Sequence, residues 1–154
     1  MATELPTSLR PMLAQTADPF DSPLFLFEPK WDGFRCLAYL EKHTTRLQSR
    51  NGIDLTRHFP ELSKLHRQCE DAPAILDGEI IVFHEGREFF HLLQQRMKKT
   101  PRTNLQPGDM PALFIAFDML YCQGKPILQL PLTDRKILLS QGVTCSEYLV
   151  VNGY

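Results

Sequence analysis

The run from Ala112 to Tyr121 is the sequence feature that most constrains the fold of this chain. It is apolar almost throughout, and Asp118 is its only charged residue. Such a run predicts a strand that is covered on both faces of a sheet, because it is far too short to cross a membrane. A chain of 154 residues is long enough to enclose that strand in one domain.

Shorter apolar runs, separated by turn signals, predict the other strands of the sheet. These predicted strands are Leu24–Phe27, Phe34–Leu40, Thr44–Ser49 and Ala74–Phe83. Arg50-Asn51-Gly52 and His84–Arg87 have the composition of tight turns. Residues 1–23 are rich in Pro, Thr, Ser and Asp, and they predict an irregular lead-in that packs on the domain.

Three segments have the residue pattern of helices. Apolar residues recur every three or four positions in Phe59–Cys69, and Phe89–Lys99 has a similar pattern. Asp134–Leu139 predicts a third, short helix, with Thr133 as its N-cap and Gly142 as its stop. Strands, hairpin turns and a few helices together indicate an α+β domain with a mainly antiparallel sheet.

Composition and charge narrow the functional classes. The formal net charge is −1, so no overall basicity indicates nucleic-acid binding. A DNA contact would have to come from a local cluster of basic residues. The same cluster could instead complement the C-terminal end of a helix, and we prefer that interpretation. This basic cluster comprises Arg96, Lys98, Lys99 and Arg102. The four cysteines have neither zinc-ligand nor disulfide-framework spacing, which predicts reduced thiols in a cytoplasmic protein.

The segment around Lys30 has an unusual distribution of charge. If this part of the chain is extended, Glu28, Lys30 and Asp32 lie on the same side of it. The simplest interpretation is a salt bridge on an edge strand, which contributes little to stability. The charges alone favour that interpretation.

The complete segment Glu28–Arg35 reads EPKWDGFR and resembles the E-x-K-x-D-G-x-R pattern of the covalent nucleotidyltransferases. That superfamily includes ATP-dependent DNA ligases, RNA ligases and mRNA capping enzymes. Three further segments resemble its later motifs in the same order: Leu47–Gly52 (LQSRNG), Leu76–Ile80 (LDGEI) and Phe114–Leu120 (FIAFDML). The residues of these segments are most similar to those of ATP-dependent DNA ligases of the bacterial end-joining type. The resemblance implies part of the ATP-grasp-like nucleotidyltransferase fold shared by DNA ligases and capping enzymes.

The resemblance also implies a role for each matched residue, with ATP and Mg²⁺ as cofactors. Lys30 would attack the α-phosphorus of ATP and form lysyl-AMP with release of pyrophosphate. The other implied nucleotide-site residues are Glu28 at the adenine end, Arg35 and Arg50 near the ribose and phosphates, Glu79 at the ribose or a metal ion, and Phe117 stacked on adenine. The supporting positions are Asp32, Gly33, Asp77 and Gly78, where the glycines would allow close backbone approach.

Three of these residues have simpler interpretations. Phe117 has the properties of an ordinary core residue. Arg50 precedes Asn-Gly and has the properties of a solvated turn residue. Glu79 stands beside three apolar residues, so its carboxylate needs a partner if it is buried.

The reaction implied by the resemblance is the sealing of nicked or broken duplex DNA in repair and recombination, after transfer of AMP from the lysine to the 5′-phosphate. An RNA ligase or capping-type enzyme is one alternative, and an inactive remnant that binds nucleotide or DNA weakly is another. The E-G and K-x-K segments and the OB-fold domain of the family are not found in this sequence. We therefore expect residues 1–154 to be a truncated adenylation domain that self-adenylylates weakly or not at all, unless a separate chain supplies the missing part. The expected location is the cytoplasm, at the nucleoid, with no membrane partner.

Overall fold

The computed structural model describes residues 4–154, which form a six-stranded sheet, a two-stranded hairpin and a few helices. The strands are β1 (Phe34–Leu40), β2 (Thr45–Ser49), β3 (Ala74–Ile81), β4 (Phe83–His84), β5 (Arg87–Glu88), β6 (Leu113–Cys122), β7 (Lys125–Pro126) and β8 (Leu149–Val151). The α-helices are α1 (Phe90–Lys98) and α2 (Leu132–Gly142). The predicted α+β class with a mainly antiparallel sheet is confirmed.

The long strand β6 lies inside the sheet, as its apolar sequence predicts. The strand order is β2-β1-β3-β6-β7, and all these neighbours are antiparallel, while β8 pairs with β6 in parallel. The pairing of β3 with β6 is interrupted, because Asp77 lies opposite Asp118 while Gly78 lies opposite Ala116. Phe117 is thus the extra residue of a β-bulge.

The two faces of the sheet are covered differently. Alternate residues of β1 point to opposite faces, so Cys36 and Ala38 join the large core that includes residues of both α-helices. On the opposite face, Leu37 and Tyr39 form a small cluster with Ile75 and Leu120, against which Leu5 and Leu9 of the lead-in pack.

Polar contacts also attach the lead-in to the sheet. The Leu9 amide donates to Tyr39 Oη at 2.8 Å, and Gln48 Nε2 donates to the Leu9 carbonyl at 2.6 Å. The Arg46 guanidinium lies 3.7 Å from the centroid of the Tyr39 ring. Residues 4–23 are irregular, as predicted, but only the part up to Pro11 packs on the sheet, since residues 12–21 are exposed. Residues 1–3 lie outside the described residues.

The predicted strand Leu24–Phe27 does not form. Leu24, Phe25 and Phe27 are exposed, and the rings of Phe25 and Phe27 instead pack against Phe20, at centroid distances of 4.9 and 5.5 Å. The prediction is wrong because an apolar run becomes a strand only where a neighbouring strand pairs with its backbone. No strand of residues 4–154 pairs with this segment.

The predicted helix Phe59–Cys69 is replaced by short 3₁₀-helices, which span Thr56–His58, Pro60–Leu62 and Leu65–Gln68. Phe59, Leu62 and Leu65 are nevertheless buried, as their spacing predicts. Their spacing of three residues matches the three residues per turn of a 3₁₀-helix at least as well as the 3.6 of an α-helix. The prediction of which residues point inward is therefore confirmed, and the prediction of an α-helix is wrong.

The remaining helices agree more closely with the sequence. Helix α1 confirms the second predicted helix to within one residue at each end. Helix α2 starts two residues earlier than expected, after Pro131, and ends at Gly142. Thr133 lies inside α2 and no side chain caps that helix, so the N-cap prediction is wrong. Proline fixes its own φ and commonly stands at a helix start, a signal that outweighs the threonine here.

Two expectations from composition also bear on the fold. All four cysteines are free thiols, with Cys36 and Cys69 buried. No helix within residues 4–154 is long and apolar enough to span a membrane.

Candidate active site

Lys30 lies in an irregular loop, Glu28–Gly33, that leads into β1. Its side chain is exposed, and it forms no ion pair with any residue in 4–154. Neither Glu28 nor Asp32 is its salt-bridge partner, so the simple interpretation of this charge pattern is not supported. The lysine is anchored by its loop rather than by its own head group.

A polar set continues from this loop onto the face of the sheet that also carries Leu37 and Tyr39. Arg35 and Asp77 form a bidentate ion pair, with Nε to Oδ1 at 2.6 Å and Nη2 to Oδ2 at 2.8 Å. Asp77 is 4% exposed. Burial raises the pKa of Asp77, and the Arg35 guanidinium opposes that shift. Two parallel hydrogen bonds hold the guanidinium in one orientation.

Glu79 lies directly opposite Arg35 in the register of β1 and β3. Burial raises the pKa of Glu79 to about 7, while the Arg35 charge, a hydrogen bond from the Gly33 amide and the Lys30 charge all oppose the shift. Within residues 4–154 no side chain forms an ion pair with Glu79, so the partner that its burial calls for is limited to the nearby Arg35 charge and the Gly33 amide. Lys30 and Glu79 are therefore within electrostatic reach of each other.

The β-bulge places Phe117 beside this polar set. The Arg35 guanidinium lies 4.6 Å from the centroid of the Phe117 ring, which is half-buried. A bulge redirects the side chain of its extra residue, and here the aromatic ring meets the cation. Phe117 is therefore more than a core residue of β6, since one side of its ring is occupied by Arg35.

Both supporting glycines are required by close packing. A Cβ added at Gly33 would collide with the Ile80 carbonyl and the Ile81 side chain, and one at Gly78 would collide with the Ile115 carbonyl and the Phe114 ring. The close backbone approach that the resemblance implied at these glycines therefore occurs between neighbouring elements of the protein itself. These glycines bring the Lys30 loop onto β3 and β3 onto β6.

Two predicted site residues are not joined to this set. Arg50 is exposed in the turn after β2 and makes no side-chain hydrogen bond to a residue in 4–154. The Asp32 side chain also points into solvent, although its amide donates to Glu88 Oε1 at 2.9 Å. The structure therefore brings together Lys30, Arg35, Glu79 and Phe117, and leaves these two at the periphery.

A second network, which the sequence did not predict, fixes the Lys30 loop. Lys136 of α2 donates to Glu28 Oε1 at 2.5 Å and to the Phe117 carbonyl at 2.7 Å. Asn152 donates through Nδ2 to the same Glu28 oxygen at 3.1 Å, and its Oδ1 accepts from Trp31 Nε1 at 3.0 Å. A usable signal existed, because Lys136 stands three residues before buried Leu139 and seven before buried Val143, where an apolar residue is expected.

An apolar cleft of about 590 Å³ lies next to this network. Its walls include Pro29, Trp31, Ile81, Ile115 and Asn152. Its volume falls within the roughly 300–1,000 Å³ that is usual for small-molecule sites, and its apolar walls with few polar groups are also typical. The cleft therefore has the size and chemistry for a planar organic ring.

The carboxylates of this site could hold a magnesium ion only together with oxygen atoms of a bound substrate. Within residues 4–154, no three His, Cys, Asp or Glu side chains converge as a metal site. Both oxygens of Asp77 accept from Arg35, which leaves the Glu79 carboxylate as the available oxygen donor of the set. Mg²⁺ typically binds through one or two carboxylates together with substrate phosphates. Glu79 fits that requirement.

The basic cluster is partly structural. Arg96 pairs with Glu61 at 2.5 Å and donates to the Met110 carbonyl, so its side chain is largely buried. Lys99 and Arg102 both lie near Asp109, at 3.8 and 2.9 Å. Lys98 is exposed in the last turn of α1, which agrees with the helix-end interpretation.

Comparison with known proteins establishes the family. Residues 11–151 match the family described as the ATP dependent DNA ligase domain. This match covers the Lys30 loop, the polar set and nearly all of the network around Glu28. The chain belongs to the ATP-dependent DNA ligase family.

The relatives include two mycobacterial ligases. DNA ligase C1 of Mycolicibacterium smegmatis is 36% identical over 142 residues, which cover 88% of this chain and 41% of that protein. The multifunctional non-homologous end joining DNA repair protein LigD of Mycobacterium tuberculosis is 35% identical over 135 residues, which cover 86% of this chain and 16% of LigD. The chain thus spans less than half of either relative.

Solved structures agree on the fold. The ligase domain of M. tuberculosis LigD matches with a TM-score of 0.61 at 31% identity, over 82% of this chain and 38% of that domain. A mycobacterial DNA ligase D complexed with ATP and MES matches with a TM-score of 0.62, also at 31% identity and with the same coverage of both chains. The predicted nucleotidyltransferase fold is confirmed by these matches.

Proposed function

We propose that residues 1–154 form the first part of the adenylation domain of a DNA ligase, and that Lys30 is its nucleophile. The observation that carries this proposal is the close packing of the Lys30 loop, through Gly33, on the end of β3 where Glu79, Arg35 and the Phe117 ring lie together. Family membership and the similarity to a ligase complexed with ATP support it. The proposed nucleotide is ATP, with its base at the cleft.

The chemistry follows from the groups that are present. The deprotonated Lys30 amine attacks the α-phosphorus of ATP, a phosphorus–nitrogen bond forms, and the bond to pyrophosphate breaks. Arg35 uses Nε and Nη2 for Asp77, so Nη1 is available to a ribose or phosphate oxygen. The half-buried Phe117 ring suits stacking on adenine. Glu79, with the phosphates, would hold Mg²⁺, which neutralises developing phosphate charge.

The second half of the proposed reaction uses DNA. AMP passes from Lys30 to the 5′-phosphate of a nick or break, and attack by the 3′-hydroxyl then seals the strand and releases AMP. Lys98 is exposed and Lys99 is partly exposed, which suits contact with the DNA backbone. The proposed setting is DNA end joining and repair at the nucleoid.

The covalent step is tested with ATP labelled on the α-phosphate. The chain is incubated with this ATP and Mg²⁺ and resolved on a denaturing gel, beside Lys30→Ala and the control Lys42→Ala, which changes an exposed turn lysine. We expect weak labelling of the native chain, equal labelling of K42A and none of K30A. The same assay with labelled GTP separates adenylyl from guanylyl transfer, and we expect no GTP-derived label.

Calorimetric titration with ATP separates binding from chemistry. Labelling that persists in K30A would exclude Lys30 as the nucleophile. Binding of ATP without any labelling would mean that this chain binds the nucleotide but does not perform the covalent step. Absence of both would leave the proposed function of the chain without support.

A further inference from the structure

We propose that Lys136 is a positioning residue that fixes the Glu28 carboxylate and, through it, the Lys30 loop. This inference deepens the proposed function, because it assigns the residue that orients the base-recognition end of the same site. Lys136 touches no part of the reacting lysine. It acts through Glu28.

Burial of Lys136 is the first observation. The residue is 5% exposed, and an ammonium group at such a position needs charged or hydrogen-bonding partners. Its two acceptors are Glu28 Oε1 and the Phe117 carbonyl. One head group therefore joins the loop that carries Lys30 to the bulged residue of β6.

Helix α2 also has contacts that do not involve Lys136. Arg135, the preceding residue, forms a bidentate pair with Asp118, at 2.9 Å from Nε and 2.8 Å from Nη2. Its Nη1 also donates to the Leu130 carbonyl at 2.7 Å. Helix α2 is thus held on β6 independently of Lys136, and Lys136 is free to serve the loop.

Asn152 extends the network to Trp31. Its side-chain amide donates to Glu28 Oε1 and accepts from the Trp31 indole, so it links both ends of the loop segment 28–31. Glu28 Oε1 thereby receives two donors, whereas Oε2 accepts no hydrogen bond from any residue in 4–154. Three neighbours of Glu28 line the cleft: Pro29, which follows it in the chain, and Trp31 and Asn152, which belong to the same network.

A free carboxylate oxygen of fixed direction discriminates between bases. It accepts a hydrogen bond from an exocyclic amino group, such as that of adenine, and repels a carbonyl oxygen at the same position, such as that of guanine. If Lys136 is lost, the carboxylate turns toward solvent and the loop loosens. Both the selectivity for ATP over GTP and the position of Trp31 then change.

Trp31 provides a readout that does not need nucleotide, because it is the only tryptophan of the chain. We would compare Lys136→Met, Lys136→Arg and the control Arg135→Met, which removes an ion pair between α2 and β6 but none of the contacts of Lys136 or Glu28. The measurements are Trp31 emission, its quenching by acrylamide, and the thermal midpoint. We expect a red shift and stronger quenching in K136M, recovery in K136R, and native Trp31 behaviour below the melting range in R135M.

Calorimetric titration with ATP and GTP forms the second arm. We expect K136M to weaken ATP binding about ten-fold, as loss of an ordering interaction with a charged group would. We expect a smaller effect on GTP, so that the preference for ATP falls, and we expect K136R to restore it. This change in preference is not expected from a general loss of stability.

The outcomes are distinct. Unchanged Trp31 fluorescence in K136M, or equal changes in K136M and R135M, overturns the positioning role. A native ATP preference in K136M, with the native chain binding ATP, overturns it too. If the native chain binds neither nucleotide, the proposed function fails, and the Trp31 comparison alone decides whether Lys136 holds the loop.

Discussion

One face of the central sheet has two ends that differ in chemistry. At one end, Leu37, Tyr39 and Ile75 are buried beneath the lead-in. At the other end, the same strands carry Glu79 and the ion pair of Arg35 with Asp77, beside an apolar cleft. The same backbone pairing therefore supports a closed apolar end and an accessible charged end.

The difference shows which end of the sheet stabilises the fold and which end carries the candidate catalytic groups. The apolar end gains free energy from burial, which has no directional requirement. The charged end needs fixed partners for each group, since a partly buried charge without a partner is costly. Substitutions at the two ends should therefore have different signatures.

The largest effect is expected from Leu37→Ala at the apolar end. Leu37 is 0% exposed, and its truncation should lower the free energy of unfolding by about 2–5 kcal/mol. Urea denaturation measures this, and Leu24→Ala at a site that is 89% exposed is the matched control. We expect ATP affinity of the folded fraction to stay native. Lower affinity would mean that the two ends are coupled.

A smaller loss of stability, combined with a loss of affinity, is expected from Asp77→Asn at the charged end. The substitution keeps the shape but leaves the Arg35 guanidinium without its carboxylate, which should cost about 2 kcal/mol because Arg35 is only partly buried. ATP affinity should also fall, since Arg35 loses its fixed orientation. Urea denaturation and calorimetric titration test this beside Asp18→Asn, an exposed lead-in control. Native ATP affinity in D77N would separate Arg35 from the nucleotide site.

A third effect, on the pH dependence of stability, is expected from Glu79→Gln. The pKa of Glu79 is raised from 4.5 to about 7, so the folded state binds this proton more tightly than the unfolded chain. Its contribution to stability is fully present below about pH 4.5 and is lost as pH rises through 7. Between pH 5 and 8, the stability of the native chain should therefore fall relative to E79Q.

Urea midpoints at several pH values, with exposed Glu147→Gln as the control, measure this difference. E147Q should follow the native chain at every pH. A native chain that parallels E79Q across the range would show that Glu79 titrates as an ordinary surface carboxylate. It would then not belong to the charged end.

Much of the fold could be predicted from local patterns. The bounds of β1 and nearly those of β2 and β6 followed from apolar runs and turn residues, because such strands are defined by burial and by the residues that end them. Leu24–Phe27 failed because strand formation depends on a partner that the local sequence does not specify. Strand β8 was missed, since its three residues are a strand only through their parallel pairing with β6.

The sequence alone determined the motif around Lys30, the family resemblance and the alternation that puts Asp77 and Glu79 on one face of their strand, since residue order fixes these properties. Only the tertiary structure decided which of these residues meet. The bulge at Phe117 depends on the register of β3 against β6, and the contact of Lys136 with Glu28 joins residues 108 positions apart. Contacts of that range depend on how the whole sheet and α2 pack, so the local sequence does not specify which residues form them.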